Sequence, residues 1–125
     1  MGMNKKLIKS FTGLIAWQKG HQLVLKIYKT TSDFPKRETY SLIDQMRRAS
    51  VSITSNLAEG FSRRTQKEKC QFYYTALGSL TELENQLLVA RDVGYLKEEI
   101  LKNIAGSAIE VAKLINGLIK SVKNA

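Results

Sequence analysis

The sequence has few of the residues from which disulfides, metal sites and membrane spans are built. Its single cysteine, Cys70, excludes an internal disulfide and suits a reducing compartment. The single histidine, His21, lies on a separate segment and cannot complete a zinc site with that cysteine. No apolar run approaches the ~18 residues that a membrane-spanning helix needs. We therefore expect a cytoplasmic protein with no metal, no cofactor and no membrane partner.

Proline and strand-like patterns are equally scarce. Pro35 is the only proline, and no stretch alternates apolar and polar residues with the period of a strand. Because proline disfavours a helical conformation at the residue before it, the first helix should end near Ser32. Every later segment lacks the strongest helix breaker. Together these absences favour an all-α protein.

Apolar residues recur every three or four positions in four segments, as they do on one face of a helix. In the first segment this face contains Trp17, Val24, Ile27, Tyr28 and Thr31. In the second, which should begin near Tyr40 or Ser41, it contains Met46, Ala49, Ile53 and Leu57. In the third and fourth it contains Tyr73, Ala76, Leu80, Leu83, Leu87 and Ala90, and then Leu101, Ile104, Ala108, Val111, Ile115, Leu118 and Val122. The pattern predicts an antiparallel up-down four-helix bundle over residues 15–125, after a basic, mobile segment over residues 1–14.

Three short motifs mark the predicted helix ends. Ser41 followed by Asp44 resembles a loose N-terminal cap, and Thr65 with Glu68 has the pattern of a capping box. Gly94 stands where a helix commonly ends in the left-handed conformation. The third and fourth helices should therefore fold back on each other as a hairpin.

The net charge of +9 is unevenly distributed along the chain. Residues 1–64 carry 12 basic and 4 acidic side chains, whereas residues 65–125 carry 8 and 7. This asymmetry indicates a positively charged face that would attract phosphates or an acidic partner. A basic surface that serves only solubility explains the same numbers, so charge alone leaves the partner open.

Two arginine pairs bracket one helical segment and are the first candidates for phosphate contact. Arg47 and Arg48 precede the segment, and Arg63 and Arg64 follow it, roughly 25 Å further along a continuous helix. Lys67 comes just after them, at the start of the next helix. Arginine suits this role because its guanidinium is permanently charged and presents a fork of donors. These five residues form the predicted nucleic-acid-binding set.

A structural role competes with this interpretation. One arginine of each pair could form an ion pair with Glu59, Glu82 or Glu84 and simply order the bundle. The alternative carries more weight for the first pair, which lies well inside a helix that must pack against its neighbours. The second pair lies near a helix end, where contact with solvent or a ligand is easier.

Small hydroxyl residues occupy the segment between the arginine pairs. Ser52, Ser55 and Ser62 share one stripe, and small side chains at helical spacing let a neighbouring helix approach closely. A serine nucleophile would need a base, and only the distant His21 offers one. We therefore expect a protein that is not an enzyme and has no catalytic residue.

Several of these motifs, taken in order, resemble the 23S rRNA intervening-sequence protein family. They are Trp17–Lys19, Phe34-Pro35, Gln45–Ile53, Ser55–Gly60 and Gly94–Leu96. The family also includes the accessory variability determinant of diversity-generating retroelements, and the resemblance covers about residues 15–122. It implies a four-helix bundle that assembles into a homopentameric ring, with no catalytic residue to carry over. Thr54, where the family commonly has proline, and Lys97, where it has Ser or Thr, depart from the pattern.

Two functions follow as hypotheses. The first is a basic, oligomeric protein that binds RNA or another nucleic acid with low sequence specificity. The second, which the resemblance suggests, is a scaffold that docks a protein partner such as a reverse transcriptase and has no direct role with nucleic acid. Charge favours the first, because a ring would multiply the field of each subunit.

Overall fold

A computed structural model describes residues 8–125, and these residues form four helices and no strand. The helices are α1 (Ile15–Thr31), α2 (Leu42–Ser62), α3 (Gln66–Asp92) and α4 (Glu98–Lys123). Short 3-10 turns at Phe11–Gly13 and Lys36–Glu38 complete the regular structure. The prediction of an all-α protein with four helices is confirmed. No helix in the described part of the chain is long and apolar enough to cross a membrane.

Each helix packs against two others around one apolar core. Helix α1 contacts α2 and α4, and α3 contacts the same two helices from the other side. The predicted apolar faces of α2 and α3 are buried throughout. On α4 the face is buried from Leu101 to Ile115, but near its end Ile119 enters the core while Leu118 and Val122 are only half-buried.

The predicted face of α1 was wrong in part. Leu23 is buried at 1% exposure, whereas Tyr28 is 41% exposed. At 100° per residue, Leu23 lies about 40° from Ile27 and about 60° from Gly20 on the inward side, and Tyr28 lies at the edge of that side. The exposed Tyr28 ring is covered by the guanidinium of Arg47, 4.6 Å from the ring centre.

The start of α2 also differs from the prediction. Ser41 makes no capping bond from its side chain to the helix backbone, and Asp44 instead binds Arg48. Glu38 takes over the role, since its carboxylate accepts from the Ser41 hydroxyl and, at 3.4 Å, from the backbone N–H of Leu42. The predicted Ser41–Asp44 cap is therefore wrong.

The Thr65 cap and the Gly94 reversal are confirmed, although Glu68 binds the Thr65 hydroxyl and not the Thr65 backbone N–H as in a full capping box. The Thr65 hydroxyl accepts from the backbone N–H of Glu68 at 3.1 Å and donates to its carboxylate at 2.9 Å. Gly94 has φ of +90°, and the N–H of Tyr95 bonds to the carbonyl of Ala90 at 2.9 Å. These bonds end α3 in a Schellman motif, so the chain can reverse in the few residues before α4.

The predicted mobile segment over residues 1–14 falls partly outside the described residues, which begin at residue 8. In the described part, the Phe11 ring packs edge-on against Trp17 with centroids 5.3 Å apart, and Leu14 is buried. The Gln18 side chain donates to the carbonyl of Thr12 at 2.9 Å. These contacts attach residues 11–14 to the start of α1.

Candidate nucleic-acid interface

Contacts between helices show which segments share one end of the molecule. Gly20 of α1 lies against Thr54 and Leu57 of α2. Gly60 of α2 lies against Tyr73 of α3. Further along, Lys123 of α4 reaches Tyr74 of α3, and Gln66 donates to the carbonyl of Ala125. The start of α1, the end of α2, the start of α3 and the end of α4 therefore lie together.

Dividing the molecule at this level separates a part with net positive charge from a part whose net charge is zero. One part, here called the basic half, consists of residues 8–20, 55–77 and 111–125, with 9 basic and 2 acidic side chains. The rest, here called the neutral half, consists of residues 21–54 and 78–110, with 9 basic and 9 acidic side chains. The whole charge excess of the described residues, +7, thus lies in the basic half.

Arg63, Arg64 and Lys67 lie in the basic half, around the short turn from α2 to α3. Arg63 is the C-terminal capping residue of α2, and its side chain is 43% exposed. Its guanidinium lies 3.5 Å from the carboxylate of Glu59 and 4.7 Å from the centre of the Phe72 ring. An exposed pair one helical turn apart is weak, so the guanidinium remains available for a second anion.

Arg64 and Lys67 are exposed, and their side chains make no ion pair or hydrogen bond with any described residue. Both are held in place through the backbone, because the turn between α2 and α3 is short and α3 is capped by Thr65. Their backbone is therefore held in place, and their side chains present positive charge to solvent.

Arg47 and Arg48 lie in the neutral half and are not brought together with the second pair. Arg47 joins α2 to α1, donating to the Thr31 hydroxyl at 2.9 Å and to the carbonyl of Tyr28 at 3.2 Å. Arg48 is 80% exposed and pairs with Asp44 on its own helix at 3.0 Å. Both arginines thus have structural contacts, but not with the Glu59, Glu82 or Glu84 considered as partners; of the four arginines, Arg63 is the one that pairs with Glu59.

The structure adds two basic residues that the predicted set omits. Lys123 donates to the hydroxyl of Tyr74 at 2.7 Å, and this bond raises the pKa of the lysine ammonium. Lys69 donates to the carbonyl of Phe61 at 2.7 Å and so supplies a hydrogen bond to a backbone carbonyl in the last turn of α2. Proximity between Lys123 and Tyr74 depends on how α4 returns to α3, so no local pattern in the sequence could have shown it.

Two shallow grooves flank the first turns of α3. One lies toward α2 and is lined by Asn56, Arg63, Glu68, Gln71, Phe72 and Thr75. The other lies toward α4 and is lined by Gln66, Lys67, Cys70, Gln71, Tyr74, Thr75 and Lys123. Because Gln71 and Thr75 line both, the two grooves form one continuous surface across the outside of α3.

Of the predicted hydroxyl stripe, Ser52 packs against a neighbouring helix, whereas Ser55 and Ser62 are exposed. Ser52 and Ser79 share a hydrogen bond of 2.8 Å between α2 and α3. Asn56 donates to both the carbonyl and the hydroxyl oxygen of Ser52. Within residues 8–125 no three side chains of the metal-binding types come together.

Comparison with known proteins agrees with the resemblance in the sequence. The model of a family described as 23S rRNA-intervening sequence protein matches residues 12–117. A solved protein of unknown function from the S23 ribosomal protein family of Bacteroides thetaiotaomicron VPI-5482 is similar, with a TM-score of 0.75 at 21% identity. That similarity covers 85% of this chain and 99% of the other, and it establishes the fold alone. No curated protein matches the sequence.

Proposed function

The chain belongs to the 23S rRNA-intervening sequence protein family, and from that premise we propose that its basic half binds RNA or another nucleic acid with low sequence specificity. The uneven distribution of charge is the observation that supports the proposal, because one end of the molecule has 9 basic side chains and only 2 acidic ones. Lys and Arg contacts to phosphate oxygens position a nucleic acid without reading its bases. The protein needs no catalytic residue for this function, and we propose that it is not an enzyme.

The proposed surface depends on helices that alternate in direction. We infer an antiparallel up-down bundle from pairs such as Gly20 with Leu57, Gly60 with Tyr73 and Tyr74 with Lys123. In such a bundle, the C-terminal ends of α2 and α4 lie beside the start of α3. The basic residues of three separate segments then act on one ligand.

Assembly into an oligomer would strengthen the attraction of the basic half for phosphates. We propose a homopentameric ring, in which five basic halves contribute to one shared field. Light scattering on the purified protein measures the mass directly. A monomer at micromolar concentration would remove the ring from the proposal while leaving the basic half of each subunit in place.

The central experiment reverses charge in one half at a time. The Arg63→Glu/Arg64→Glu variant should weaken binding of a structured RNA at low salt by more than about tenfold, because it replaces phosphate attraction by repulsion. The matched control is Lys36→Glu/Lys97→Glu, which makes the same change in net charge at exposed positions of the neutral half. It should bind RNA much as the unaltered protein does.

Two results would contradict the proposal. One is the absence of RNA binding by the unaltered protein at low salt. The other is equal weakening by both variants, which would indicate a response to net charge alone and not to the basic half.

A scaffold that docks a protein such as a reverse transcriptase is the second candidate, and an apolar groove favours it. Between α3 and α4, in the neutral half, this groove is lined by Glu84, Leu87, Leu88, Leu101, Lys102 and Ala105. Leu88 is 45% exposed there, and the adjacent Val89 is 43% exposed. A partner bound at this groove should be lost on Leu88→Lys and retained in the Arg63→Glu/Arg64→Glu variant.

A further inference from the structure

We propose that the basic half prefers single-stranded to double-stranded nucleic acid and stacks one unpaired base on the ring of Tyr74. This inference rests on the proposed function and adds the class of nucleic acid to it. Three observations carry it: the open ring of Tyr74, the absence of acidic side chains around that ring on α3, and the basic residues at its margins.

The Tyr74 ring is fixed at one edge and open on its face. The side chain is 48% exposed, and its hydroxyl accepts from Lys123 at 2.7 Å. The Lys123 ammonium lies 5.3 Å from the ring centre. The two distances differ by roughly the separation between the ring centre and the hydroxyl oxygen, so the ammonium lies mainly beyond the hydroxyl and not over the centre of the ring face. A ring held in this way loses little freedom when a base stacks on it.

Acidic side chains are absent from the stretch of α3 around the ring, and Glu68 lines only the adjoining groove toward α2. From residue 69 to residue 81, α3 contains one basic side chain, Lys69, and no acidic one. Its outward positions Gln71, Thr75 and Gly78 are uncharged and exposed. Gln71 and Thr75 can donate or accept hydrogen bonds, and Gly78 leaves open space where a side chain would stand.

Positive charge borders this neutral strip on both sides. Lys67 and Lys123 line the groove toward α4, where Tyr74 lies. Arg63 lines the groove toward α2, with its guanidinium over Phe72. A strand that crosses α3 can place phosphates near these cations and one base on the Tyr74 ring between them.

Only an unpaired strand can use the ring in this way. In a duplex both faces of each base are stacked inside the helix except at the two ends, so an exposed tyrosine on a protein surface finds no free base along its length. Aromatic stacking is tolerant of sequence because every base has a π-face. A preference for single strands therefore agrees with low sequence specificity.

The experiment compares three ligands with an equal number of phosphates on each labelled strand. They are a short unstructured RNA, the same RNA annealed to its complement, and an abasic strand that lacks every base. Fluorescence anisotropy at low salt gives the affinity of each. The unaltered protein should bind the unstructured RNA more tightly than the duplex, and about fivefold or more tightly than the abasic strand, as expected for one stacked base.

Two substitutions at Tyr74 separate the ring from its hydroxyl. Tyr74→Leu should abolish the preference for the base-containing strand and leave abasic and duplex binding unchanged. Tyr74→Phe keeps the ring and should retain most of the preference. Tyr40, which is 95% exposed in the neutral half, supplies the matched control, and Tyr40→Leu should change nothing. Circular dichroism checks that each variant is folded.

The outcomes distinguish this inference from the function on which it rests. Equal affinity for the unstructured and abasic strands, both weakened by Arg63→Glu/Arg64→Glu, would overturn the stacking inference and uphold nucleic-acid binding. An equal loss of abasic and unstructured binding in Tyr74→Leu would also overturn it. No binding of any ligand by the unaltered protein would overturn both.

Discussion

Gly60 and Tyr73 touch where α2 meets α3: a Cβ atom added to Gly60 would lie 2.5 Å from Cε1 of the tyrosine ring. The ring is 1% exposed, and burial raises the pKa of its hydroxyl. A fully packed ring cannot move aside as the end of a flexible side chain would. The absence of a side chain at Gly60 thus sets how closely the two helices approach, just before the turn that carries Arg63 and Arg64.

Replacing this glycine should destabilise the protein. We expect Gly60→Ala to lower the free energy of unfolding by about 1–3 kcal/mol, since the new methyl group forces Tyr73 or the helix to shift. Gly78→Ala is the matched control, because nothing lies within 4 Å of a Cβ atom at that exposed helical position. It should raise stability by about 0.5–1 kcal/mol. Urea denaturation measures both, and a loss in Gly78→Ala equal to that in Gly60→Ala would contradict the close approach.

The first arginine pair should affect stability unequally. Arg47→Ala removes two hydrogen bonds from α2 to α1 and the contact with the Tyr28 ring, so we expect a loss of about 1–2 kcal/mol. Arg48→Ala removes one exposed pair with Asp44 and should cost at most about 0.5 kcal/mol. Thermal and urea unfolding provide the measurement. Equal losses of unfolding free energy in the two variants would show that the contacts of Arg47 add no stability beyond that of the exposed Arg48 pair.

Acid should weaken the contact between the α1–α2 connection and the α3–α4 turn, where the Tyr95 hydroxyl donates to the Glu38 carboxylate at 3.0 Å. Bonds from Ser41 and then Tyr95 hold the pKa of the Glu38 carboxyl below its ordinary value of 4.5. A lowered folded-state pKa means that the contribution of Glu38 is complete above that ordinary value and is lost as the pH falls through the folded-state value. Glu38→Gln should therefore remove part of the acid sensitivity of the unfolding midpoint below pH 4.5.

A substitution outside this network provides the comparison for the acid experiment. Glu110 lies on the exposed side of α4, and its side chain forms no hydrogen bond or ion pair with any other residue from 8 to 125. Glu110→Gln should leave the acid dependence of unfolding unchanged. An identical response in the two variants would mean that the Tyr95–Glu38–Ser41 network does not couple stability to pH.

The dependence of RNA affinity on salt concentration measures how many phosphates the basic half contacts. If Lys67 contacts one phosphate, Lys67→Gln should reduce the slope of log affinity against log salt by about 0.7–0.9. Lys97→Gln, an exposed lysine of the neutral half, should leave the slope unchanged. Affinities measured across a range of salt concentrations give both slopes, and equal slopes for Lys67→Gln and the unaltered protein would remove Lys67 from the interface.

The sequence was informative wherever structure depends on neighbouring residues. Periodicity located all four helices because burial of one helical face repeats every three or four residues. The Thr65 cap and the Gly94 reversal were readable because each uses bonds within a few residues. Ser41 failed as a cap because the competing acceptor, Glu38, belongs to a turn that the pattern did not reveal.

The candidate site was only partly readable. The two arginine pairs look equivalent along one helix, yet α2 carries them to opposite ends of the bundle. Arg47 became a link to α1 because Thr31 and the Tyr28 carbonyl happen to face it across the helix pair. Lys123 was missed because its partner, Tyr74, is 49 positions away in the chain.

The chain alone therefore determined the class of fold, the helix positions, the family and the excess of positive charge, since all of these follow from local pattern and composition. The tertiary structure decided where that charge acts. Along the chain it divides into a basic first half and a nearly neutral second half. In the folded molecule it gathers instead at one end, because the helices reverse direction and bring the start of α1, the α2–α3 turn and the end of α4 together.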